Sequence, residues 1–370
     1  MPVFIPEYIK KLEPYKPGNK LKESPTERKA VSDFINLASN ENPLGASPLA
    51  IEALKQSAKF LAIYPDVGST ELVDFLSTDL KIKPSEIICG HGSDSLIADI
   101  IKSFSDHGDE ILTSQGSFIG YYVNINKLGR KTVAVPLKNY AYDLGKIIRN
   151  ITDKTRIIFL ANPNNPTGSM FPDKEFKEFM SSVPDDILIV LDEAYSIYAQ
   201  LHENYPDGLR YNYPNLISMR TFSKSHGLAG VRIGFCIGPE ELISTIYKVK
   251  LPFEPNTIAQ KLAKAAYVDH DFVFQTLKLN TISLERLLNL LDELKVSYVK
   301  PHANYVMVLL DDPEKSIKFT DICYEKGILV RQLSRFGIDT GVRISTGTHT
   351  QMDYALDIFR NAFNVINNGQ

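Results

Sequence analysis

The stretch Arg220-Thr221-Phe222-Ser223-Lys224-Ser225-His226-Gly227-Leu228-Ala229-Gly230-Val231-Arg232 sets a lysine between two serines and follows it, eight positions on, with an arginine. Apolar runs flank it, Leu216–Met219 before and Ile233–Ile237 after, each the length of a buried strand. Lys224 is therefore expected in a loop between two strands at the edge of a sheet, where α/β folds bind ligands.

An amine in that position, once deprotonated, can form a Schiff base with an aldehyde cofactor. Thr221, Ser223 and Arg232 can hold a phosphate by hydrogen bonds and charge. Pyridoxal 5'-phosphate needs both. A lysine in a polar surface loop has the same local sequence, so the rest of the chain must decide between the two readings.

The chain has 370 residues, 44% of them hydrophobic, enough for a large core and for two domains. Its 41 basic and 44 acidic residues leave a formal charge of −3, which gives no grounds for a nucleic-acid partner or a membrane surface. Cys89, Cys236 and Cys323 are far apart and lie in apolar segments, so they read as small core residues rather than disulfides or metal ligands. No basic leader precedes an apolar run at the N-terminus, and no run of 18 apolar residues occurs, so a soluble, cytoplasmic protein is expected.

Taken in order, residues 1–30 are rich in Pro, Lys and Glu and read as an extended arm. Ser47-Pro48 starts a helix to about Phe60, and another runs from about Ser69 to Leu80. From Ile87 strands and helices alternate. The strand Ile87–Cys89 leads through Gly90-His91-Gly92-Ser93-Asp94 into a helix expected from Ser95 to Phe104. Such a loop can bring backbone N–H groups to an anion, and it is also an ordinary strand-to-helix turn. Strands follow at Glu110–Thr113, Thr132–Val135 and Arg156–Leu160. The last ends in Asn162-Pro163-Asn164-Asn165-Pro166-Thr167-Gly168, a fixed loop that can present the Asn165 amide at the sheet edge.

The strand Ile187–Leu191 ends in Asp192-Glu193-Ala194-Tyr195. An aspartate directly after an apolar run is costly unless paired. It either caps a helix or faces a buried cation such as a protonated pyridine nitrogen. Beyond it come helices at Glu240–Lys248 and, with a break near Asp269, at Thr257–Leu294. A strand Tyr305–Leu309, a helix Ser316–Lys326, strands Ile328–Arg331 and Val342–Ser345 and a final helix Met352–Asn367 complete the reading.

With these motifs in order, from Asn40-Glu41-Asn42-Pro43 through Gly92-Ser93-Asp94 and Ser223-Lys224 to Val342-Arg343-Ile344, the chain resembles the class I/II aminotransferases, and most of all histidinol-phosphate aminotransferases. The resemblance covers nearly the whole chain. It implies an α/β, aspartate aminotransferase-like (fold type I) architecture. A large domain, residues 46–255, would hold a mostly parallel sheet; the arm, 1–45, and residues 256–370 would form a smaller α/β domain.

The resemblance also assigns roles. Lys224 would bind pyridoxal phosphate covalently and move the substrate proton, with Asp192 at the pyridine nitrogen and Tyr195 and Asn165 at the phenolic oxygen. Gly92, Ser93, Asp94, Thr221, Ser223 and Arg232 would hold the phosphate, and Phe118 would stack on the ring where several relatives carry Tyr. Tyr64 would reach the cofactor of a second subunit, implying a homodimer with shared active sites. Arg343, Arg331, Tyr15 and Asn40 fall at substrate-side positions; Arg335 either joins that cluster or is solvated. The implied reaction moves an amino group from a small-molecule donor, histidinol phosphate, to a 2-oxo acid, 2-oxoglutarate. An aromatic aminotransferase, a related phosphate-binding decarboxylase, or a regulatory module without turnover are the alternatives.

Overall fold

The computed structural model describes residues 3–14 and 34–368; Tyr15 lies outside them. Strand β1 (Ile35–Asn36) comes first. Then follow β2 (Ile87–Gly90), β3 (Glu110–Ser114), β4 (Lys131–Val135), β5 (Thr155–Ala161), β6 (Leu188–Asp192), β7 (Leu216–Thr221) and β8 (Gly234–Ile237). The last seven form one sheet in the order β2-β8-β7-β6-β5-β3-β4. All are parallel except β8, which runs antiparallel to both β2 and β7. Strands β2, β5 and β6 are mostly apolar because helices cover both faces of this sheet, and Ile157, Phe159, Ile189 and Val190 are wholly buried in its core.

The remaining strands are β9 (Tyr298–Val299), β10 (Tyr305–Leu309), β11 (Ile328–Leu329), β12 (Arg331–Gln332) and β13 (Gly341–Ser345). A four-stranded antiparallel sheet has the order β12-β13-β10-β9. The sequence reads Ile328–Arg331 as one strand. In the structure it is divided: β11 pairs in parallel with β1, and the chain crosses at Val330 into β12 beside β13. A second core packs Val306, Val308 and Ile344 against Leu287, Phe319, Phe359 and Phe363. The helix Thr257–Tyr267, although beyond residue 255, buries Ala259, Leu262 and Ala266 with Leu72, Leu76 and Phe235 on the β2–β8 side of the large sheet.

Helix starts follow their caps. Ser47 accepts the Ala50 N–H at 3.2 Å, with Pro48 in the first helical turn, and the helix runs to Ser57 before a 3-10 turn, Ala58–Phe60. The helix expected from Ser316 begins at Pro313, because Asp312 caps it. The helix expected from Ser95 begins at Gly92, so Ser93 and Asp94 form its first turn and not a loop before it. The arm, expected to be extended, has one helical turn at Glu7–Lys10. No helix among the described residues is long and apolar enough to cross a membrane.

Beside the end of β6 lies a buried ionic group. Arg220 Nη2 donates to Asp207 at 2.6 Å, and its Nε lies 3.3 Å from Glu193. The other Glu193 oxygen accepts the Tyr205 hydroxyl and the Gly208 N–H, at 2.8 and 3.0 Å. Burial opposes the guanidinium charge, but Glu193 and Asp207 hold its pKa above the usual arginine value. Removing one partner of such a group strands a charge in the interior. Arg220→Ala is expected to cost about 3–5 kcal/mol of stability. Denaturant unfolding of the two proteins checks this, and a loss below about 1 kcal/mol, the scale of an exposed pair, would contradict it.

Candidate active site

The site forms at the edge of the seven-stranded sheet where β5, β6 and β7 end and β8 begins. One cavity there is lined by Lys224, Asp192, Asn165, Tyr195, Phe118 and Arg232, together with Ser93, Asp94, Thr221 and Ser223. Residues far apart in sequence meet because parallel strands bring their C-terminal ends to one edge.

One side of the cavity is built for an anion. The helix Gly92–Phe104 starts there, and the first N–H groups of a helix have no partner within it. Arg232 lies against this helix start, with Nη2 3.4 Å from Asp94 Oδ2 and Nη1 3.4 Å from Ser223 Oγ. Thr221 Oγ1 donates to Ser223 Oγ at 3.0 Å and accepts the Ser223 N–H at 3.1 Å. Glycine suits position 92. Its φ is +73°, and a Cβ would sit 2.5 Å from Arg232 Nη2. Arg232 itself has φ +61°, an unusual conformation for a residue with a side chain.

Asp192 is the last residue of β6 and is 5% exposed. It does not cap a helix: Oδ1 accepts the Ala194 N–H at 3.1 Å, and the next helix, Ser196–Ala199, starts after Tyr195. Its Oδ2 accepts the hydroxyl of Tyr121 at 2.7 Å. Burial pushes the Asp192 pKa up to about 6, against the pull of the Tyr121 and Ala194 hydrogen bonds. Lys224 Nζ lies 3.4 Å from the Ser39 carbonyl and 5.8 Å from the centre of the Tyr195 ring.

Of the substrate-side residues, Arg343 and Asn40 are tied to this group by hydrogen bonds. Arg343 is buried, with Nη1 donating to Asn165 Oδ1 and Nη2 to the Ala38 carbonyl, both at 2.5 Å. That contact fixes the Asn165 amide with its carbonyl on Arg343, leaving Nδ2 as the donor for a ligand. Arg331 is the direct cross-strand partner of Arg343 in the β12–β13 pairing, so the two side chains leave the same face of the sheet. Asn40, 1% exposed with φ +56°, donates Nδ2 to the Tyr195 hydroxyl at 2.8 Å and accepts from Ser345 Oγ at 2.8 Å. With its oxygen accepting from Asn40, Tyr195 keeps its own proton for another partner. Tyr64 is not in this cavity: it is 78% exposed and stacked on Phe253 at 4.6 Å.

The residues present fit pyridoxal phosphate: an anion cradle, a buried carboxylate, a phenyl ring, an amide and a phenol as donors, and an amine. Two participants are not singled out by the sequence. Tyr121 lies three residues after Phe118, on the same side of a helical turn, a spacing that could have drawn attention to it. The Ser39 carbonyl is a backbone group and carries no sequence signal.

The Asp192 shift has a measurable consequence in the apoprotein. Its folded pKa, about 6, exceeds the ordinary 3.8, so between these values the unfolded chain releases a proton that the folded chain keeps. The stabilisation is complete below the ordinary value and is lost as pH rises through about 6. Wild type should therefore lose about 3 kcal/mol relative to Asp192→Asn across that interval, at 1.36 kcal/mol per pKa unit. Parallel stability-versus-pH curves for the two apoproteins would show that Asp192 does not titrate there.

The sequence profile of the aminotransferase class I and II family matches residues 32–359. Histidinol-phosphate aminotransferase 2 of Hydrogenovibrio crunogenus is 40% identical over 343 residues, covering 92% of this chain and 91% of that protein. The crystal structure of histidinol-phosphate aminotransferase from Sinorhizobium meliloti in complex with pyridoxal-5'-phosphate superposes with a TM-score of 0.84 at 26% identity, over 90% of this chain and 91% of that one. Aspartate aminotransferase from Thermus thermophilus with maleate shares the fold, with a TM-score of 0.79 at 22% identity over 89% and 92% of the two chains. The aspartate aminotransferase-like fold and the matched profile agree with the cavity built around Lys224 and Asp192: the chain belongs to the class I and II aminotransferases.

Proposed function

We propose that the chain transfers an amino group between histidinol phosphate and 2-oxoglutarate, using pyridoxal phosphate. The observation that carries the choice of donor is Arg331 opposite Arg343 on adjacent strands. A phosphate dianion calls for two or more cationic or N–H partners, and two arginines leaving one face of the sheet offer them. A single α-carboxylate is satisfied by one bidentate arginine. The two carboxylates of 2-oxoglutarate suit the same pair. The name of the 40% identical relative agrees with this reading.

Bound pyridoxal phosphate would supply the electron sink that makes the donor's Cα–H acidic and would carry the amino group between half-reactions. The chain's own residues do the rest. Lys224 would be the covalent anchor for the cofactor, and its amine would be the base that moves the proton. Asp192, buried and anchored by two hydrogen bonds, would hold a proton at the ring nitrogen. Asn165 Nδ2 and the Tyr195 hydroxyl would donate to the phenolic oxygen, and Phe118 would cover a ring face. Arg232, Ser223 and Thr221, with the start of the helix Gly92–Phe104, hold the phosphate. Arg343 orients the donor.

A charged hydrogen bond is worth about 1.5–3 kcal/mol. Arg331→Ala should lower kcat/KM for histidinol phosphate by roughly 10- to 150-fold. The effect on phenylalanine or tyrosine as donor should be much smaller. Equal losses for all donors, or a wild-type preference for tyrosine, would replace this reading with an aromatic aminotransferase.

The same reading includes a homodimer. Leu61, Ile63, Tyr64 and Leu251 are all more than half exposed, an apolar surface of the kind that marks an interface. Tyr64 shares a groove with Gly230 and Val231, the residues just before Arg232, so a second copy seated there would come close to the phosphate end of the site. Sedimentation should give twice the chain mass. Tyr64→Ala, weakened in cofactor binding, should regain part of its activity when mixed with Lys224→Ala. A fully active monomer would exclude the shared site.

A further inference from the structure

Asp192 is gripped from two directions. The Ala194 N–H binds Oδ1 at 3.1 Å, and the Tyr121 hydroxyl binds Oδ2 at 2.7 Å. The Tyr121 ring is fully buried. It stacks on Phe159 with centroids 4.7 Å apart at 17°, and meets Phe118 edge-on at 5.4 Å and 86°. These contacts fix the ring, so the hydroxyl has little freedom to leave Asp192. Phe118 lines the cavity and directly precedes the helix Ile119–Lys127 that carries Tyr121. One turn of chain therefore sets both an aromatic wall and the partner of the carboxylate.

The other charged neighbours do not help Asp192 to ionise. Asp94 and Glu193 both act against its negative charge, as does burial. What favours the carboxylate is the pair of donated hydrogen bonds, since a donor to the charged form stabilises it. Of the two donors only Tyr121 is a side chain, and only it can be changed without altering the backbone.

We propose that Tyr121 is a positioning residue, whose hydroxyl keeps Asp192 ionised and fixed in the rotamer that faces the ring nitrogen of bound pyridoxal phosphate. This rests on the reading that the site takes that cofactor. Packing alone would give a different result, because phenylalanine at 121 keeps the ring between Phe159 and Phe118 and removes only the proton donor. Tyr142 is a control: it is a buried tyrosine whose hydroxyl lies 2.5 Å from Ser117 Oγ and accepts the Ala161 N–H at 3.2 Å, with no hydrogen bond to Asp192.

The test loads wild type, Tyr121→Phe and Tyr142→Phe with pyridoxal phosphate carrying ¹⁵N in the ring. It reads the nitrogen chemical shift by NMR and the cofactor affinity by fluorescence titration. Wild type and Tyr142→Phe should show a protonated ring nitrogen. Tyr121→Phe should shift toward the unprotonated value and bind the cofactor about 10- to 100-fold more weakly, the loss expected for a hydrogen bond to a charged group. A ring-fluorinated tyrosine at 121, a stronger donor, should leave the nitrogen at least as protonated as in wild type. An unchanged nitrogen shift in Tyr121→Phe would overturn the proposal and leave Tyr121 as packing only. Wild type that takes up no pyridoxal phosphate would instead overturn the cofactor reading itself.

Discussion

A carboxylate at the end of a buried strand is the constraint around which this molecule is arranged. The four residues of β6 before Asp192 are buried and apolar, and the chain then places a charge where water cannot reach it. Isolated, such a group would take up a proton and lose its use. The surroundings answer with directed donors: the turn at Ala194, the hydroxyl of Tyr121, and the cation expected on a bound ring. Glu193, the next residue, poses the same problem and is solved separately by Arg220, Tyr205 and Gly208. Two adjacent acids thus face two unconnected sets of partners, one toward the cavity and one away from it.

The segment at residues 34–46 joins the two cores. Strand β1 pairs with β11 beside the smaller core, and a few residues later Asn40 bonds Tyr195, just past β6 of the large sheet, and Ser345 of β13. Gly227 shows how closely this segment lies on the lysine loop. Its φ is +70°, and a Cβ there would fall 1.9 Å from the Gly45 carbonyl oxygen. Only a glycine allows that approach. The lysine loop and the N-terminal segment are fitted backbone to backbone, and the Ser39 carbonyl comes within 3.4 Å of Lys224 Nζ as a result.

Much of this could be read before the fold was known, for identifiable reasons. Parallel strands buried on both faces are continuous apolar runs, so β5 and β6 stand out, and the polar residues at or just past strand ends, Asn165, Asp192 and Thr221, mark the cavity edge. Short pieces were harder. Nothing in Ile328-Leu329-Val330-Arg331 signals that the chain changes sheets at Val330, because that depends on which strands lie alongside. The early start of the helix at Pro313 was legible in Asp312-Pro313. Tyr121 was hidden for a different reason: a buried aromatic on a helix is usually packing, and its hydroxyl matters only once Asp192, 71 residues away in sequence, is known to lie 2.7 Å from it.

The change of sheets at Val330 has an evolutionary consequence. It puts Arg331 beside Arg343 on the four-stranded sheet, whose hydrophobic core is distinct from the one beneath Asp192 and Lys224. Side chains in separate cores tolerate substitution nearly independently. Substitution in β12 or in the turn at Ser334–Phe336 can therefore change the anion-facing groups while the chemistry at the other sheet edge persists, whereas Arg343 and Ser345 of β13 are tied to that edge through Asn165 and Asn40. One scaffold built this way can diversify its diet without relearning its reaction.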